Sequence, residues 1–181
     1  MIKKYLKQDP STINDVKELY LSAFPMDERP SWSFIYSNNM KHDEDIIIAY
    51  YDNNEFIGFT FLTLYKDIVY LSYFAIKEEK RGKGYGSLLL EELKELSKDK
   101  VLLLCFEEVD PKYPDYQKRL RRENFYKKHG FINNGLLTKE GDVVYQSSFI
   151  GSHKVAFADY IKIFDLVYGE GTSNTYLKEV K

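Results

Sequence analysis

The stretch Lys80–Leu96, KRGKGYGSLLLEELKEL, decides the fold, because it joins a glycine-rich turn directly to a helical pattern. Gly82, Gly84 and Gly86 alternate with larger residues, and leucines then recur at the spacing of a helix with one buried face. Glycine has no Cβ, so a ligand can approach its backbone closely. The N–H groups in the first turn of a helix lack partners within the helix and attract anions. The stretch therefore predicts a site for phosphate or pyrophosphate.

Two common nucleotide-binding motifs do not fit this stretch. A P-loop needs G-x-x-x-x-G-K-[ST], which the chain does not contain. A dinucleotide-binding fingerprint needs G-x-G-x-x-G in an early βαβ unit, whereas the spacing here is G-x-G-x-G. Arg81 and Lys83 add positive charge, and residues 61–139 carry 16 Lys/Arg against 12 Asp/Glu. The pattern favours an anionic ligand that is held in another way.

The segments on either side of the glycines predict a mixed α+β fold. A strand, VYLSYFAI, precedes the glycines, and another, VLLLCFE, follows their helix. Such a strand–helix–strand unit predicts one parallel pair in the sheet. The full pattern comprises a short first strand, two helices, strands near 45–51, 55–65 and 68–77, a helix to about Asp99, the VLLLCFE strand, a helix ending at Gly130 and a hairpin turning near Glu140-Gly141. No firm prediction is made for residues 152–181.

Composition restricts the class of protein. The chain has 181 residues and a net charge of −2, which indicates one domain and argues against nucleic-acid binding. No apolar run reaches the roughly 18 residues of a membrane span, and the start of the chain lacks a signal-peptide pattern. We therefore expect a cytoplasmic protein with no membrane partner. Cys105 is expected to be a buried, inert thiol. His42, His129 and His153 are scattered, so no metal is predicted.

Two motifs in the chain resemble those of the GNAT acetyltransferase superfamily. Arg81-x-x-Gly84-x-Gly86, after a strand and at the start of a helix, is similar to the acyl-CoA motif of that family. The stretch NFYKKHGF, Asn124–Phe131, is similar to the following motif at the end of a helix. A proline usual before the loop is replaced by glutamate. The resemblance implies a mixed, mostly antiparallel sheet with a central splayed parallel strand pair and helices on both faces.

The resemblance also implies domain limits and a co-substrate. Residues 1–150 would form the acetyltransferase domain, and residues 151–181 would be a C-terminal extension of it. The co-substrate would be acetyl-CoA, without a metal. Acetyl-CoA would be bound by residues at the strand end, in the loop, at the helix start and at one position on a later helix. They are Phe74, Ala75, Ile76, Arg81, Gly82, Lys83, Gly84, Tyr85, Gly86, Ser87 and Asn124. The N–H of Phe74 or Ala75 would stabilise negative charge on the thioester oxygen.

The family reaction assigns further residues. Tyr126 matches the tyrosine that protonates the leaving thiolate, although it could simply be a packed helix residue. Glu107 or Glu108 could deprotonate the amine. Side chains alternate along a strand, so one of the two should face inward, and we favour Glu107. Solvated glutamates are the alternative. The acceptor wall would include Glu28, Arg29 and Trp32, although core packing could also explain the aromatic residues there.

Two functions remain open from sequence alone. One is an N-acetyltransferase that acts on a primary amine of a small molecule or peptide. The other is a non-catalytic acyl-CoA-binding sensor or interaction domain with the same fold. The tail after residue 150 could cover the acceptor site or form a homodimer contact. The identity of the acceptor lies beyond the sequence.

Overall fold

The computed structural model describes residues 1–26 and 29–180, and they divide into two compact units. The first unit comprises Met1–Leu64 and Leu71–Leu89. The second comprises Tyr65–Tyr70 and the described residues from Leu90 onward, so the tail belongs to it. Within the described ranges, no helix is both long and apolar enough to cross a membrane.

The first unit holds most of four strands, with two helices and the start of a third. In chain order its elements are β1 (Ile2–Tyr5), α1 (Ile13–Ala23), α2 (Trp32–Lys41), β2 (Asp45–Asp52), β3 (Glu55–Tyr65), β4 (Ile68–Ile76) and the start of α3 (Tyr85–Leu96). The strands follow one another in the order β1-β2-β3-β4. Asn53, Asn54 and Lys66 have positive φ values of 48°, 65° and 52°, which make the two tight hairpin turns.

Apolar side chains on α1 and β3 form the core of this unit. Residues 56–63 of β3 are all buried, as expected for a strand covered on both faces. Val16 and Tyr20 of α1 are 0% and 1% exposed. The Tyr20 ring meets the Tyr73 ring of β4 edge-on at 5.1 Å. This packing seats α1 on the sheet and orients the chain that leads into α2.

The second unit contains the start of β4, four further strands and three helices of its own. They are β5 (Val101–Glu107), α4 (Tyr116–Lys128), β6 (Ile132–Glu140), β7 (Val143–Ile150), α5 (Phe157–Tyr168), α6 (Ser173–Tyr176) and β8 (Leu177–Val180). The strand order is β4-β5-β7-β6-β8, in which β4 and β5 are the parallel pair and the other neighbours are antiparallel.

Helices cover both faces of the sheet in the second unit. Phe106 of β5 packs against Tyr126 of α4, with ring centroids 5.4 Å apart. Leu103 lies three positions earlier on the same strand and belongs to a buried cluster with Tyr160 and Ile163 of α5. Side chains at odd and even positions of a strand point to opposite faces, so α4 and α5 lie on opposite sides.

The structure confirms the predicted α+β fold with a mostly antiparallel sheet and one parallel pair. The predicted strands and helices occur in the expected order, with ends displaced by a few residues. The structure also defines the tail, for which the sequence allows no firm prediction: it forms α5, α6 and β8. β8 pairs with β6 from Leu137↔Val180 to Glu140↔Leu177 and so provides the last strand of the sheet.

Candidate functional site

The C-terminal end of β4 directs different polar groups to its two edges. The Lys77 N–H donates to the Ile57 carbonyl of β3 at 2.9 Å. The Ala75 carbonyl also faces β3, because a Cβ on Gly58 would lie only 2.3 Å from it. Backbone groups of successive residues point to opposite edges of a strand. The N–H of Phe74 is therefore directed away from β3, and that of Ala75 towards it.

Arg81 holds the loop against the end of β4. Its Nε donates to the Ile76 carbonyl at 3.1 Å, and its backbone N–H donates to the Glu78 carbonyl at 3.1 Å. The guanidinium thus shapes the turn from strand to loop as well as adding positive charge. Lys83 is exposed beside it.

Gly82 and Gly84 are required by the backbone of the loop. Their φ values are +73° and +85°, a region that L residues rarely adopt. A Cβ at either position would meet no atom within 4 Å, so steric crowding within the described chain is not the reason for glycine. The space over the backbone here is open, as the approach of a ligand requires.

The loop presents an uninterrupted row of backbone N–H groups. From Gly82 to Gly86, no N–H donates a hydrogen bond to any residue in 1–26 or 29–180. The Leu88 N–H donates to the Gly84 carbonyl at 3.1 Å, which places Gly84 at the cap of α3. Ser87, in the same first turn, is half-buried and makes an interaction of its own. Partial positive charge at the helix start adds to these donors, so the arrangement suits a diphosphate.

The turn between β2 and β3 braces this loop. The Tyr85 hydroxyl donates to Asp52 Oδ2 at 2.8 Å, and this bond is the main reason why the pKa of Tyr85 is raised. The Lys80 ammonium donates to Glu55. Sequence reasoning missed both acidic residues, because at a turn they look like ordinary solvated side chains.

The two glutamates at the end of β5 are already engaged. Glu107 is 8% exposed, and its carboxylate accepts from Arg122 Nη1. Glu108 is half-buried and accepts from Lys112 Nζ at 2.8 Å and from the Tyr113 hydroxyl at 2.9 Å. The structure thus gives each candidate base a cationic partner from the segment that follows it.

Tyr126 is held in an aromatic cluster on α4. Its ring lies 5.4 Å from the Phe106 ring and 5.6 Å from the Phe131 ring, measured between centroids. Burial raises the pKa of Tyr126, while Arg122, one helical turn earlier, opposes that shift. The hydroxyl stays protonated at neutral pH, and it has no hydrogen-bond partner within the described chain. Arg122 therefore interacts with both Tyr126 and Glu107.

The structure also describes Asn124, Cys105 and the groups that could hold a metal. Asn124 is exposed on α4, two residues before Tyr126. Burial raises the pKa of the Cys105 thiol, which therefore stays protonated. No group of three or more His, Cys, Asp or Glu in residues 1–26 and 29–180 is placed to hold a metal ion.

Two of the predicted acceptor residues, Arg29 and Trp32, serve the packing between α1 and α2. Arg29 Nε donates to the Phe24 carbonyl at 2.9 Å, and its guanidinium lies 5.3 Å from the Tyr20 ring centre. The Trp32 ring lies 5.8 Å from the Tyr20 ring. Glu28 lies outside the described residues. A role for these residues in acceptor binding stays a prediction.

Sequence reasoning also missed Glu140 at the end of β6. The Tyr160 hydroxyl donates to Glu140 Oε1 at 2.7 Å, and Thr138 Oγ1 donates to the same oxygen at 3.2 Å. Tyr160 in turn lies 3.2 Å from the Tyr70 hydroxyl. Burial raises the pKa of Glu140 to about 7, and the two hydrogen bonds only partly oppose this. The sequence predicts only a turn near Glu140-Gly141, and the contact with α5 could not be foreseen.

Three solved structures show the likeness of the fold. A GNAT-family protein of Bacteroides thetaiotaomicron is 25% identical with a TM-score of 0.76, over 93% of this chain and 99% of that one. An aminoglycoside 6'-N-acetyltransferase complexed with coenzyme A is 18% identical with a TM-score of 0.63, over 83% and 96%. A spermidine N-acetyltransferase from Vibrio cholerae is 15% identical with a TM-score of 0.65, over 83% and 94%. No curated protein sequence matches the chain.

The sequence itself matches a family model. The model is described as the acetyltransferase (GNAT) domain and covers residues 42–133, just over half of the chain. This range includes the end of β4, the glycine loop and Tyr126. The match agrees with the motifs, the loop geometry and the folds of the solved structures, and the chain belongs to the GNAT acetyltransferase family.

Proposed function

We propose that this protein transfers an acetyl group from acetyl-CoA to a primary amine of a small molecule or peptide. The row of N–H donors from Gly82 to Gly86 carries the proposal, because it offers a diphosphate several hydrogen bonds at the start of a helix. GNAT enzymes use acetyl-CoA, which supplies a reactive thioester and a diphosphate. Neighbours in fold that act on aminoglycosides and spermidine support an amine as the acceptor.

The chain's own groups have distinct tasks in binding. Lys83 and Arg81 supply positive charge to the diphosphate, in addition to the loop amides. The Phe74 N–H, directed away from β3, is better oriented than that of Ala75 to stabilise negative charge on the thioester oxygen. Ile76 contributes by anchoring Arg81 through its carbonyl.

Three proton transfers accompany the reaction. An alkyl ammonium with a pKa of about 10.4 must lose a proton before its nitrogen can form the new C–N bond. Glu107, Glu108 and Glu140 are the candidate acceptors. As the C–S bond breaks, Tyr126 donates its proton to sulfur and thereby prevents release of a free thiolate. Its raised pKa keeps this proton available at neutral pH. The nitrogen then loses its second proton, which restores the Tyr126 hydroxyl and leaves a neutral amide.

Glu140 has the property that a base working near neutral pH needs, namely a pKa of about 7. Glu107 and Glu108 each already accept a hydrogen bond from a cation. Glu140 therefore joins Glu107, which strand alternation favours, and Glu108 as a candidate base.

The rest of the chain is assigned more simply. Glu28, Arg29 and Trp32 are proposed to contribute to acceptor binding, and Arg29 and Trp32 also take part in the packing of α1 and α2. Residues 151–181 are proposed as an extension of the same domain, since α5 packs on β5 and β8 extends the sheet. A homodimer contact by this tail is the remaining proposal for partners.

The function is tested by measuring thiol release from acetyl-CoA with three amines in separate assays: an aminoglycoside, spermidine and a peptide with an N-terminal alanine. We expect release that depends on at least one of these amines, with the acetylated amine identified by mass spectrometry. Tight acetyl-CoA binding without amine-dependent release of thiol in a broad panel would instead identify a non-catalytic acyl-CoA sensor.

Gly84→Ala should raise the KM for acetyl-CoA about tenfold or more, because the loss of one hydrogen bond to a charged group weakens binding by about that factor. The methyl group would occupy the open space over the loop and disfavour its φ of +85°. Gly141→Ala is the matched control, because Gly141 has a φ of +59° and open space too. Equal KM values in the two variants would contradict the loop assignment.

Tyr126→Phe should lower kcat by about 100-fold, the usual contribution of a general acid, and change the KM for acetyl-CoA by less than about twofold. Tyr116→Phe removes a hydroxyl from the same helix and should leave both constants unchanged. Parallel losses in kcat and in acetyl-CoA affinity would show that Tyr126 acts only through packing.

Glu140→Gln should remove the rise of kcat/KM with pH that is centred near 7. A base works only when it is deprotonated, so in the unmodified protein the rate should climb as pH passes the pKa of Glu140. The amide oxygen can still accept from Tyr160, which preserves the packing. If the variant keeps the rise and Glu107→Gln or Glu108→Gln loses it, that glutamate is the base.

A further inference from the structure

Glu140 ends a chain of hydrogen-bonded side chains in the second unit. The Tyr160 hydroxyl of α5 donates to Glu140 Oε1 at 2.7 Å, and the hydroxyls of Tyr160 and Tyr70 lie 3.2 Å apart. A hydroxyl has one proton, and that of Tyr160 is used on the carboxylate, so Tyr70 is the donor in the second bond. The chain of hydrogen bonds therefore runs in one direction, from β4 through α5 to the end of β6.

The two carboxylate oxygens of Glu140 differ in their surroundings. Oε1 accepts from Tyr160 and, at 3.2 Å, from Thr138 Oγ1. Oε2 accepts no hydrogen bond from residues 1–26 or 29–180 and is not one of their enclosed polar atoms, so solvent reaches it. Glu140 as a whole is half-buried. One oxygen is thus held by the protein, and the other keeps its lone pairs for a proton from outside.

Tyr160 is fixed by its packing. It is 0% exposed, and its ring meets the Tyr70 ring edge-on with the centroids 5.7 Å apart. Its backbone N–H donates to the Ala156 carbonyl at 3.0 Å in the first turn of α5. A side chain enclosed in this way has few rotamers to choose from, so its hydroxyl holds the Glu140 carboxylate in one orientation. This hydroxyl belongs to the tail after residue 150.

Hydroxyl donors, rather than charged side chains, stabilise the ionised form of Glu140. The other titratable groups on the surrounding elements are Tyr70 on β4, Cys105 on β5, Lys139 and Asp142 at the turn, Tyr145 on β7, Tyr168 on α5 and Lys178 on β8. Lys139 pairs with Asp142 at 3.5 Å, and Lys178 lies opposite Lys139, on the other face of the sheet from Glu140. Burial raises the pKa of Cys105, so its thiol is uncharged at neutral pH.

We propose that Tyr160 is a positioning residue for Glu140: its hydroxyl holds Oε1 and favours the charged carboxylate, so that Oε2 is ready to accept the proton of the acceptor amine. This role rests on the proposed function, with Glu140 as the base. The ammonium proton moves to Oε2 and later to water, and Tyr160 keeps its own proton throughout. The tail thereby contributes to proton transfer as well as to the sheet.

The contact is tested by NMR of the whole protein, in which the side-chain carboxyl carbon of Glu140 is followed as the pH is varied. Tyr160→Phe keeps the ring in the core and removes only the hydroxyl. The lost donor favoured the ionised carboxylate, so the pKa of Glu140 should rise by about one unit or more. Tyr176→Phe is the matched control. It makes the same change in the same tail, at a residue that is 55% exposed, and should leave this pKa unchanged.

The effect on the reaction is tested by the pH dependence of kcat/KM with an amine that the unmodified protein acetylates. In Tyr160→Phe the rise of kcat/KM should move to higher pH by the same amount as the pKa of Glu140, so the loss of rate is greatest at low pH. A purely structural role would lower kcat/KM equally at every pH. Tyr70→Phe should move the rise in the same direction by a smaller amount, because Tyr70 acts on Glu140 through Tyr160.

The possible results separate this inference from the proposed function. An unchanged pKa of Glu140 in Tyr160→Phe overturns the inference, whether or not the chain acetylates amines. A raised pKa with an unmoved rate profile shows that Glu140 is not the base and overturns the positioning role, while the transferase function stands. If the unmodified protein releases no thiol with any amine, the proposed function fails and the role in proton transfer fails with it, even where the NMR titration confirms the contact.

Discussion

The arrangement of the candidate site depends on one constraint: an α-helix must leave its first backbone N–H groups without partners inside the helix. Here glycines at positive φ extend that set of unpaired donors back into the loop. The residues around them make this unusual conformation persistent. Arg81 binds the strand end, and Asp52 holds Tyr85 of the first helical turn. The loop is thereby shaped before any ligand binds, which reduces the entropy lost on binding.

Carboxyl groups in this chain follow two different patterns. Glu107 is buried, and its carboxylate accepts a hydrogen bond from a guanidinium. Asp45 is buried and Glu140 is half-buried, and both lie against hydroxyl groups, which compensate desolvation only partly, so their pKa values rise to about 6 and about 7. The first pattern stabilises structure around α4. The second pattern leaves carboxyls whose charge changes with pH near neutrality, and the proposed role of Glu140 as a base draws on it.

Local pattern was enough to predict much of the molecule. The spacing of Gly82, Gly84 and Gly86, the apolar run of β5 and the turn residues of the hairpins each act through neighbours in sequence, so the strands and helices could be placed. Contacts between distant residues could not. Arg122 meets Glu107 across 15 positions, and Tyr160 meets Glu140 across 20. In the tail, α6 and β8 have only four residues each, and β8 forms by pairing with the distant strand β6, which local pattern cannot indicate.

Cys105 is the only cysteine of the chain, and burial keeps its sulfur in the thiol form. A protonated sulfur reacts slowly with disulfide reagents and electrophiles. The protein itself should therefore contribute little background when liberated coenzyme A is followed with a thiol-reactive dye. The same inertness means that a new surface cysteine could be labelled selectively without first removing the native one, which opens the two units to distance measurements by spectroscopic probes.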